Sequence, residues 1–404
     1  MKEKVNITII GAGVIGCALA FALSRGKGTS NDIVVIERNQ QINGENQSSR
    51  NSGVIHAGVY YPKSIGPLKA RLCVEGNRMM YDFCSRYEIP HKKCGKMIVA
   101  TNGLEKEYLE DVYNIARDNN VPDIKMIGRK GIKDLEPNIE GIAALHVPTS
   151  GVIEATSLVN RLYRLAEASG VMFLTGNTVT GIKPYGDLFE IDIHAQASSE
   201  VFQTEILINS AGLFSDEIAR MIDSSSKYLM DPVKGESAKF YSTSREGLKM
   251  NGMNVYPVPC GYLPDGEKLC ISFNEFQKRF KRGEVNRSVG VHLTPTFDYI
   301  DGKSVIGNTI TMGPAYSVPR NREDYSNTRS QEYYYSMVKP FFPSIKKGDI
   351  FLHQTGIRAK LNDIYDFVIE NNSKHKNLIN LVGIDSPGLT SSLAVAEYVA
   401  KLIH

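Results

Sequence analysis

The sequence predicts an α/β protein with two parts: a larger, discontinuous α/β domain, and a smaller domain built on a mixed or antiparallel β-sheet. Two observations lead to this prediction. At both ends of the 404-residue chain, a short β-like run, a glycine turn and a helical stripe follow one another, and an irregular stretch rich in tyrosine and proline lies between them. The length also exceeds the roughly 100–200 residues of one ordinary domain.

The composition is that of a globular protein. Hydrophobic residues make up 42% of the chain and charged residues 23%, which excludes a disordered or fibrous protein. The 47 Lys and Arg residues nearly balance the 44 Asp and Glu residues, so the chain as a whole has no field that would hold nucleic acid. Six cysteines without Cys-x-x-Cys spacing predict reduced thiols, no metal site and a cytoplasmic location.

The first predicted element is a strand over 5–10, followed by a glycine turn over 11–16 and a helix over 14–25. The uncharged run over 5–24 also has about the length of a membrane span. Its three glycines, and the change from β-branched residues to helix formers along the run, predict a strand, a turn and a helix instead of a membrane anchor.

The glycine turn matches the pattern G-x-G-x-x-G. Gly11 would allow the tight turn, Gly13 would let the backbone approach a pyrophosphate, and Gly16 would let the helix pack on the strand. A second strand over 33–36 ends in Glu37, whose carboxylate can accept ribose hydroxyls. These features predict a Rossmann-like dinucleotide site. They leave FAD and NAD open, and no second G-x-G-x-x-G follows.

The stretch over 48–61 is rich in small polar residues and glycine, and it contains one histidine, His56. Its hydroxyl and amide groups would be donors to a cofactor that ran along it. On its own, the stretch would equally suit a surface loop with an incidental histidine.

The middle of the chain shows three further elements. Thr156 is the predicted cap of a helix over 157–169. Two alternating runs flank turn residues at 184–187, which predicts a hairpin. A strand over 206–209 ends at the small residues Ala211-Gly212, where a ligand could lie against the backbone.

The C-terminal segment repeats the opening pattern, with a strand over 378–384, a glycine turn over 385–390 and a helix over 391–403. The free N–H groups at the start of that helix would favour negative charge. If the cofactor is a flavin, the helix could face the negative charge that develops on the reduced ring. An ordinary packing helix is the alternative interpretation.

Blocks of sequence beyond the glycine motif carry a resemblance. The stretches Asn51–Pro62, Leu68–Cys73 and Cys94–Ala100 resemble the L-2-hydroxyglutarate oxidase/dehydrogenase family of FAD enzymes, in the D-amino-acid-oxidase-like superfamily. The resemblance covers nearly the whole chain. Further blocks that carry it lie at 139–141, 148–153, 232–236, 255–259, 290–295 and 356–360.

The resemblance implies a discontinuous FAD-binding domain and a substrate domain over the flavin. The expected FAD-binding domain consists of 1–85, 151–228 and 340–404, and the substrate domain of 86–150 and 229–339. The implied FAD contacts are Gly11, Gly13, Val14, Ile15, Gly16, Glu37, Arg38, Ser49, Arg50, Asn51, Ser52, Gly53, Val54, Val179, Ala211, Gly212, Gly356, Pro387, Gly388, Leu389 and Thr390.

The implied reaction is oxidation of a small L-2-hydroxy acid, above all L-2-hydroxyglutarate, to the 2-oxo acid, with oxygen or a quinone as electron acceptor. His56 would be the base that takes the hydroxyl proton, and Arg358 would hold the substrate carboxylate. Histidine suits the first task because its pKa is near neutral, and arginine suits the second because its fork is bidentate. The other expected substrate contacts are Tyr60, Lys234, Tyr256 and His292.

Two departures from the family pattern keep other readings open. The turn over 386–392 is nearer to that of glycerol-3-phosphate oxidases, so glycerol 3-phosphate or an amino acid is the alternative substrate. Pro259 and Gly290 stand farther apart than in the family, and the extra segment contains the basic run Lys278–Arg282. That run would be either a peripheral membrane or partner contact or a solvated insert.

Overall fold

The computed structural model describes residues 3–26, 32–195, 198–263 and 267–403. Its helices, in chain order, are α1 (Val14–Leu23), α2 (Pro67–Arg86), α3 (Gly103–Asp118), α4 (Arg129–Leu135), α5 (Ala155–Ala168), α6 (Ser215–Ile222), α7 (Phe273–Lys281), α8 (Gln331–Val338) and α9 (Gly388–Ile403). Within the described ranges, none of these helices has the length and apolarity that are needed to cross a membrane.

Among the described residues, the strands fall into two large sheets and two small ones. In chain order they are β1 (Lys4–Ile10), β2 (Ile33–Glu37), β3 (Val54–Ile55), β4 (His91–Lys92), β5 (Lys96–Ala100), β6 (Lys125–Gly128), β7 (Ala143–Val147), β8 (Gly151–Ile153), β9 (Met172–Thr175), β10 (Thr178–Tyr185), β11 (Leu188–His194), β12 (Ser199–Asn209), β13 (Val233–Tyr241), β14 (Asn254–Pro257), β15 (Cys260–Tyr262), β16 (Asn286–Ser288), β17 (His292–Ile300), β18 (Lys303–Ser317), β19 (Phe351–Arg358), β20 (Val368–Asn371) and β21 (Leu378–Val382).

The first large sheet has the order β10-β11-β12-β1-β2-β9, with β21 beside β12 and β20 beside β21. The pairs β12–β1, β1–β2, β2–β9 and β12–β21 are parallel. The strands β2 and β21 are buried along their whole length, as expected for parallel strands that are covered on both faces. The helices α1, α5 and α9 pack together over one face, so segments from both ends and the middle of the chain build this unit.

The second large sheet has the order β19-β13-β18-β17-β14-β5-β7-β6. Its pairs are antiparallel except for β14–β5, which is parallel. Two hydrophobic clusters are built on it, one centred on Phe240, Met312 and Phe342, and the other on Tyr108, Leu145 and Tyr256. The predicted α/β class, with a parallel sheet and a second mixed sheet, is confirmed.

One strand departs from the expected division of the chain. The segment Phe351–Arg358 lies in the stretch 340–404 that was expected in the FAD-binding domain, but as β19 it pairs with β13 in the second sheet. Gly356 and Arg358 therefore approach the site from the second sheet. The remaining domain limits stay predictions.

Two local predictions were also wrong. The helix α1 ends at Leu23, two residues before the expected Arg25. The helix α5 is capped by Glu154, because its carboxylate accepts hydrogen bonds from the Thr156 N–H and hydroxyl. Thr156 therefore lies inside the helix instead of capping it.

Candidate active site

A cavity of about 700 Å³ lies where the carboxyl ends of β1 and β2 meet β13, β18 and β19 of the second sheet. Ligands of open α/β sheets bind at this edge, outside the carboxyl ends of the parallel strands. The volume lies within the range of about 300–1,000 Å³ that is usual for ligand pockets. The chain therefore has room for a large cofactor between its two sheets.

The glycine turn forms one end of the cavity. Gly11 has φ +97°, and a Cβ there would lie 2.7 Å from the Ser210 carbonyl oxygen. A Cβ on Gly16 would lie 1.8 Å from the Gly11 carbonyl oxygen, so this glycine allows α1 to pack against the turn. The Val14 N–H at the start of α1 donates to the Ser48 hydroxyl at 2.8 Å. The turn brings the start of α1 to the cavity, as a phosphate site requires.

Glu37 lies at the end of β2 and is nearly buried. Its two carboxylate oxygens accept hydrogen bonds from the Ala12 N–H at 2.8 Å and the Asn39 N–H at 2.9 Å. The Arg38 guanidinium lies 4.0 Å from the centre of the Phe214 ring. These contacts fix the acidic residue at the cavity wall, where the sequence pattern places the ribose.

Most of the residues implied as cofactor contacts line this cavity, and a few lie behind its wall. Gly16, Ser49, Gly53 and Thr390 are not among the lining residues. Ser49 accepts a hydrogen bond from the Gly44 N–H, and Thr390 accepts one from the His56 N–H. The lining residues of this set are Gly11, Gly13, Val14, Ile15, Glu37, Arg38, Arg50, Asn51, Ser52, Val54, Val179, Ala211, Gly212, Gly356, Pro387, Gly388 and Leu389.

His56 lines the same cavity, directly after β3. Its N–H donates to the Thr390 hydroxyl at 2.9 Å, and its carbonyl accepts from the Asn77 side chain at 2.8 Å. Its ring Nε2 lies 3.5 Å from the Ser386 hydroxyl. Burial, and next the positive charge of Lys96, hold the pKa of His56 well below its usual value. The imidazole is therefore neutral near pH 7 and can accept a proton.

Lys96, the first residue of β5, was not among the predicted site residues. Its side chain is fully buried, and its Nζ lies 3.5 Å from His56 Nδ1 and 3.9 Å from the centre of the Tyr256 ring. Burial lowers its pKa from 10.5 to about 7. The sequence offered one signal for this residue. Lys96 directly precedes the apolar run 97–100, so it stands at the start of a predicted buried strand, where a charged side chain is rare.

Arg358 lines the cavity from the end of β19. Its Nη2 donates to Asp385 Oδ2 at 2.7 Å, and its Nη1 donates to the Tyr316 hydroxyl at 2.9 Å. Lys69 holds the other oxygen of Asp385 at 2.6 Å. The buried Nε of Arg358 has no hydrogen-bond partner in the part of the chain that the structure describes. Arg358 is thus held in place by Asp385 and keeps donors for a ligand.

Tyr60, Tyr256 and His292 also line the cavity. The Tyr256 and His292 rings are stacked with centroids 3.8 Å apart, and the Tyr60 ring lies 6.2 Å from that of Tyr256. Burial, followed by the charge of Lys96, holds the pKa of His292 well below its usual value. Together these rings form a packed wall beside His56 and Lys96.

The structure places Lys234 elsewhere. Its side chain is buried, and its Nζ lies 3.2 Å from Asp324 and 3.9 Å from Glu236. The cavity is lined by Gly235 and Ser237 of the same strand, and successive side chains of a strand point to opposite faces. The structure therefore does not bring Lys234 to the cavity with the other expected substrate contacts.

Known proteins resemble this chain along nearly its whole length. The family model described as FAD dependent oxidoreductase, DAO, matches residues 6–402. The mitochondrial L-2-hydroxyglutarate dehydrogenase of Arabidopsis thaliana is 30% identical over 437 residues, which cover 99% of this chain and 83% of that protein. The L-2-hydroxyglutarate dehydrogenase of Indibacter alkaliphilus is 26% identical over 417 residues, which cover 98% of each chain.

Solved structures share the fold. The L-alpha-glycerophosphate oxidase from Mycoplasma pneumoniae with FAD bound has a TM-score of 0.81 at 21% identity, over 99% of this chain and 95% of that one. The L-proline dehydrogenase from P. horikoshii has a TM-score of 0.75 at 19% identity, over 100% of this chain and 94% of that one. At these identities the likeness establishes the architecture, whereas the substrate has to be argued from the site.

Proposed function

Since the chain belongs to the FAD-dependent oxidoreductase family, and within it to the group of the L-2-hydroxyglutarate dehydrogenases, we propose that it oxidises L-2-hydroxyglutarate to the corresponding 2-oxo acid. The family resemblance and the FAD dependence expected from the sequence are confirmed. The observation that supports the substrate class is the juxtaposition, at one cavity, of a neutral His56 and a fixed Arg358.

The cavity residues suit FAD. Gly11 and Gly16 leave no room for a side chain at the turn, Glu37 faces the cavity at the end of β2, and Pro387–Leu389 bring the start of α9 to the same cavity. When bound, FAD supplies an acceptor for the hydride that leaves C2 of the hydroxy acid. The free N–H groups at the start of α9 favour negative charge near them.

His56 would hold the proton that the substrate hydroxyl loses. Because Lys96 stands at Nδ1, the nitrogen left for the substrate is Nε2, which lies 3.5 Å from the Ser386 hydroxyl. Nε2 takes the proton in the neutral tautomer that carries its hydrogen on Nδ1. A contact of that length is weak, so a substrate hydroxyl can replace it at little cost. Lys96 acts here as a positioning residue, since it touches the base and sets its charge.

Arg358 would orient the carboxylate next to the reacting carbon. Asp385 and Tyr316 fix two of its nitrogens on one side, and an arginine has five N–H donors in one plane. Lys69 shares the charge of Asp385, so the Arg358 charge is not fully neutralised by that carboxylate. A carboxylate in the cavity therefore meets a preorganised cation.

The test is an anaerobic substrate screen of the purified flavoprotein. L-2-hydroxyglutarate should bleach the flavin absorption band, whereas the D-isomer should not. Glycerol 3-phosphate and L-amino acids serve as comparison substrates. Bleaching by one of these, without bleaching by L-2-hydroxyglutarate, would contradict the proposal and assign the chain to another substrate of the superfamily.

The cellular setting is part of the same proposal. We propose a cytoplasmic enzyme that passes electrons to oxygen or a quinone and touches a membrane only peripherally, through Lys278–Arg282. In the structure these cations lie at the end of α7, where Arg279 pairs with Glu275 and Arg282 pairs with Glu284. Cosedimentation with anionic vesicles tests the contact, and loss of binding in Lys278→Gln/Lys281→Gln would support it.

A further inference from the structure

The cavity is also lined by Arg287, an arginine that the family resemblance did not suggest. It lines the cavity together with Ser288 and Val289. All three belong to the segment between Pro259 and Gly290, which the family resemblance led us to expect to be longer here. The extra segment therefore contributes directly to the wall of the site.

This segment is packed into the second domain. Its strands β15 and β16 form an antiparallel ribbon in which Arg287 lies opposite Gly261. Phe276 of α7 is buried; a Cβ on Gly261 would lie 2.9 Å from its ring, and the Tyr108 ring centre is 5.4 Å away. Aromatic contacts thus connect the ribbon to α3, so the strand β16 that carries Arg287 is held in place by packing.

A carboxylate on α3 positions the Arg287 guanidinium. Asp111 Oδ2 lies 2.7 Å from Arg287 Nη1, and both side chains are about a quarter exposed. The buried Nη2 of Arg287 has no hydrogen-bond partner among residues of the described ranges, and the same holds for the buried Tyr60 hydroxyl. Buried donors without partners are costly, so a ligand acceptor beside them would stabilise the site.

Tyr60 and Arg287 both line the cavity. Burial raises the pKa of Tyr60 well above its usual value, and the Arg287 charge opposes that rise. The Tyr60 hydroxyl therefore stays protonated and is a donor at neutral pH. A donor hydroxyl and a guanidinium together suit an anionic oxygen ligand.

We propose that Arg287 and the Tyr60 hydroxyl bind the distal carboxylate of a dicarboxylate 2-hydroxy acid, while Arg358 binds the carboxylate beside the reacting carbon. This inference rests on the proposed function and explains how a dicarboxylate is selected over a monocarboxylate. A carboxylate fits better than a phosphate here, because Asp111 offsets part of the Arg287 charge and a phosphate monoester carries nearly two negative charges.

The experiment compares Arg287→Gln with the matched control Arg279→Gln, which changes a neighbouring arginine that pairs with Glu275 and does not line the cavity. The substrates are L-2-hydroxyglutarate and L-2-hydroxyvalerate, which lacks the distal carboxylate. We expect Arg287→Gln to lower kcat/KM for the dicarboxylate by about 10- to 100-fold, mainly through KM, with less than about a twofold change for the monocarboxylate. Arg279→Gln should change neither value.

Equal losses on both substrates, or no loss on either, would overturn the assignment. Arg287→Lys keeps the charge but lacks the bidentate guanidinium, so its kcat/KM for the dicarboxylate should lie between those of the wild type and Arg287→Gln. This graded loss would show that the effect of Arg287→Gln does not come from misfolding. A selective loss of glycerol 3-phosphate turnover would also overturn the choice of a carboxylate.

A binding measurement separates failure of this inference from failure of the proposed function. If the wild-type enzyme oxidises neither hydroxy acid, the proposed function fails, and calorimetry of glutarate and butyrate binding to the oxidised flavoprotein still tests Arg287. Tighter binding of glutarate that is lost in Arg287→Gln would support the distal carboxylate site. Equal affinities of the wild-type protein for the two acids would overturn it.

Discussion

Lys96 Nζ lies 3.5 Å from His56 Nδ1; the Lys96 side chain is fully buried, and His56 lines the cavity. Two positive charges at that distance in a buried site would repel strongly. The pair therefore holds fewer protons near neutral pH than two exposed groups would, in agreement with the lowered pKa of each. This relationship keeps the histidine available as a base.

The first prediction concerns His56 itself. His56→Gln should lower the rate of anaerobic flavin reduction by about 10²- to 10⁴-fold, the usual contribution of a positioned general base. The variant should retain FAD, because the loop is held through the backbone N–H and carbonyl of residue 56. The control is His353→Gln, an exposed histidine of β19 that does not line the cavity. Equal rates in both variants would exclude His56 as the base.

The second prediction concerns pH. Activity requires neutral His56, so the acid limb of the kcat/KM profile reports its protonation. The positive charge of Lys96 lowers the pKa of His56; Lys96→Met removes that charge, so the acid limb should move to higher pH. Lys92→Met, which changes an exposed lysine of β4, should leave the profile in place. An unmoved acid limb in Lys96→Met would refute the coupling.

The third prediction follows from the same burial. Lys96 has a pKa of about 7 in the fold against an ordinary 10.5, so the unfolded chain binds more protons between those values. Stability of the wild-type protein should therefore rise with pH across that window, by the linkage relation. Lys96→Met should abolish this contribution and raise the melting temperature near pH 7. Parallel pH dependences of the two melting temperatures would contradict the argument.

The cofactor part of the site could be predicted from local sequence patterns. The glycine turn, the strand that ends in Glu37 and the helix α1 lie within a short stretch of chain, and their roles depend on backbone geometry that glycine spacing reveals. His56 and Arg358 came from the family resemblance, and both line the cavity. The partners of these residues did not follow from the sequence.

Those partners are far apart in the chain. Lys96 is 40 residues from His56 in the chain and belongs to the second large sheet. His56 follows β3 of the three-stranded sheet, so the two residues meet only in the folded protein. The Arg287–Asp111 contact likewise joins the extra segment to α3. Lys234 was misplaced for another reason: its neighbours in β13 do line the cavity, and only the register of the strand decides which face each side chain takes.

The fourth prediction tests the glycine turn. A Cβ on Gly16 would lie 1.8 Å from the Gly11 carbonyl oxygen, which forces α1 away from β1. Gly16→Ala should therefore cost at least about 1–3 kcal/mol of stability and lower FAD occupancy, measured from the ratio of flavin to protein absorbance. The control is Gly103→Ala in α3, where the added Cβ would meet no atom within 4 Å. Full occupancy in Gly16→Ala would show that the turn tolerates a side chain.

The last prediction separates Lys234 from the substrate site. Its ammonium pairs with Asp324 and lies near Glu236, behind the cavity wall. Lys234→Met would leave those two carboxylates without their shared cation, so the melting temperature should fall, because removing one partner of a buried pair is destabilising. The KM for L-2-hydroxyglutarate should stay within about twofold of wild type, because Lys234 makes no contact with the substrate. A rise in KM alone is expected only when a contact that binds substrate and transition state equally is lost. A selective rise in KM with an unchanged melting temperature would instead return Lys234 to the substrate site.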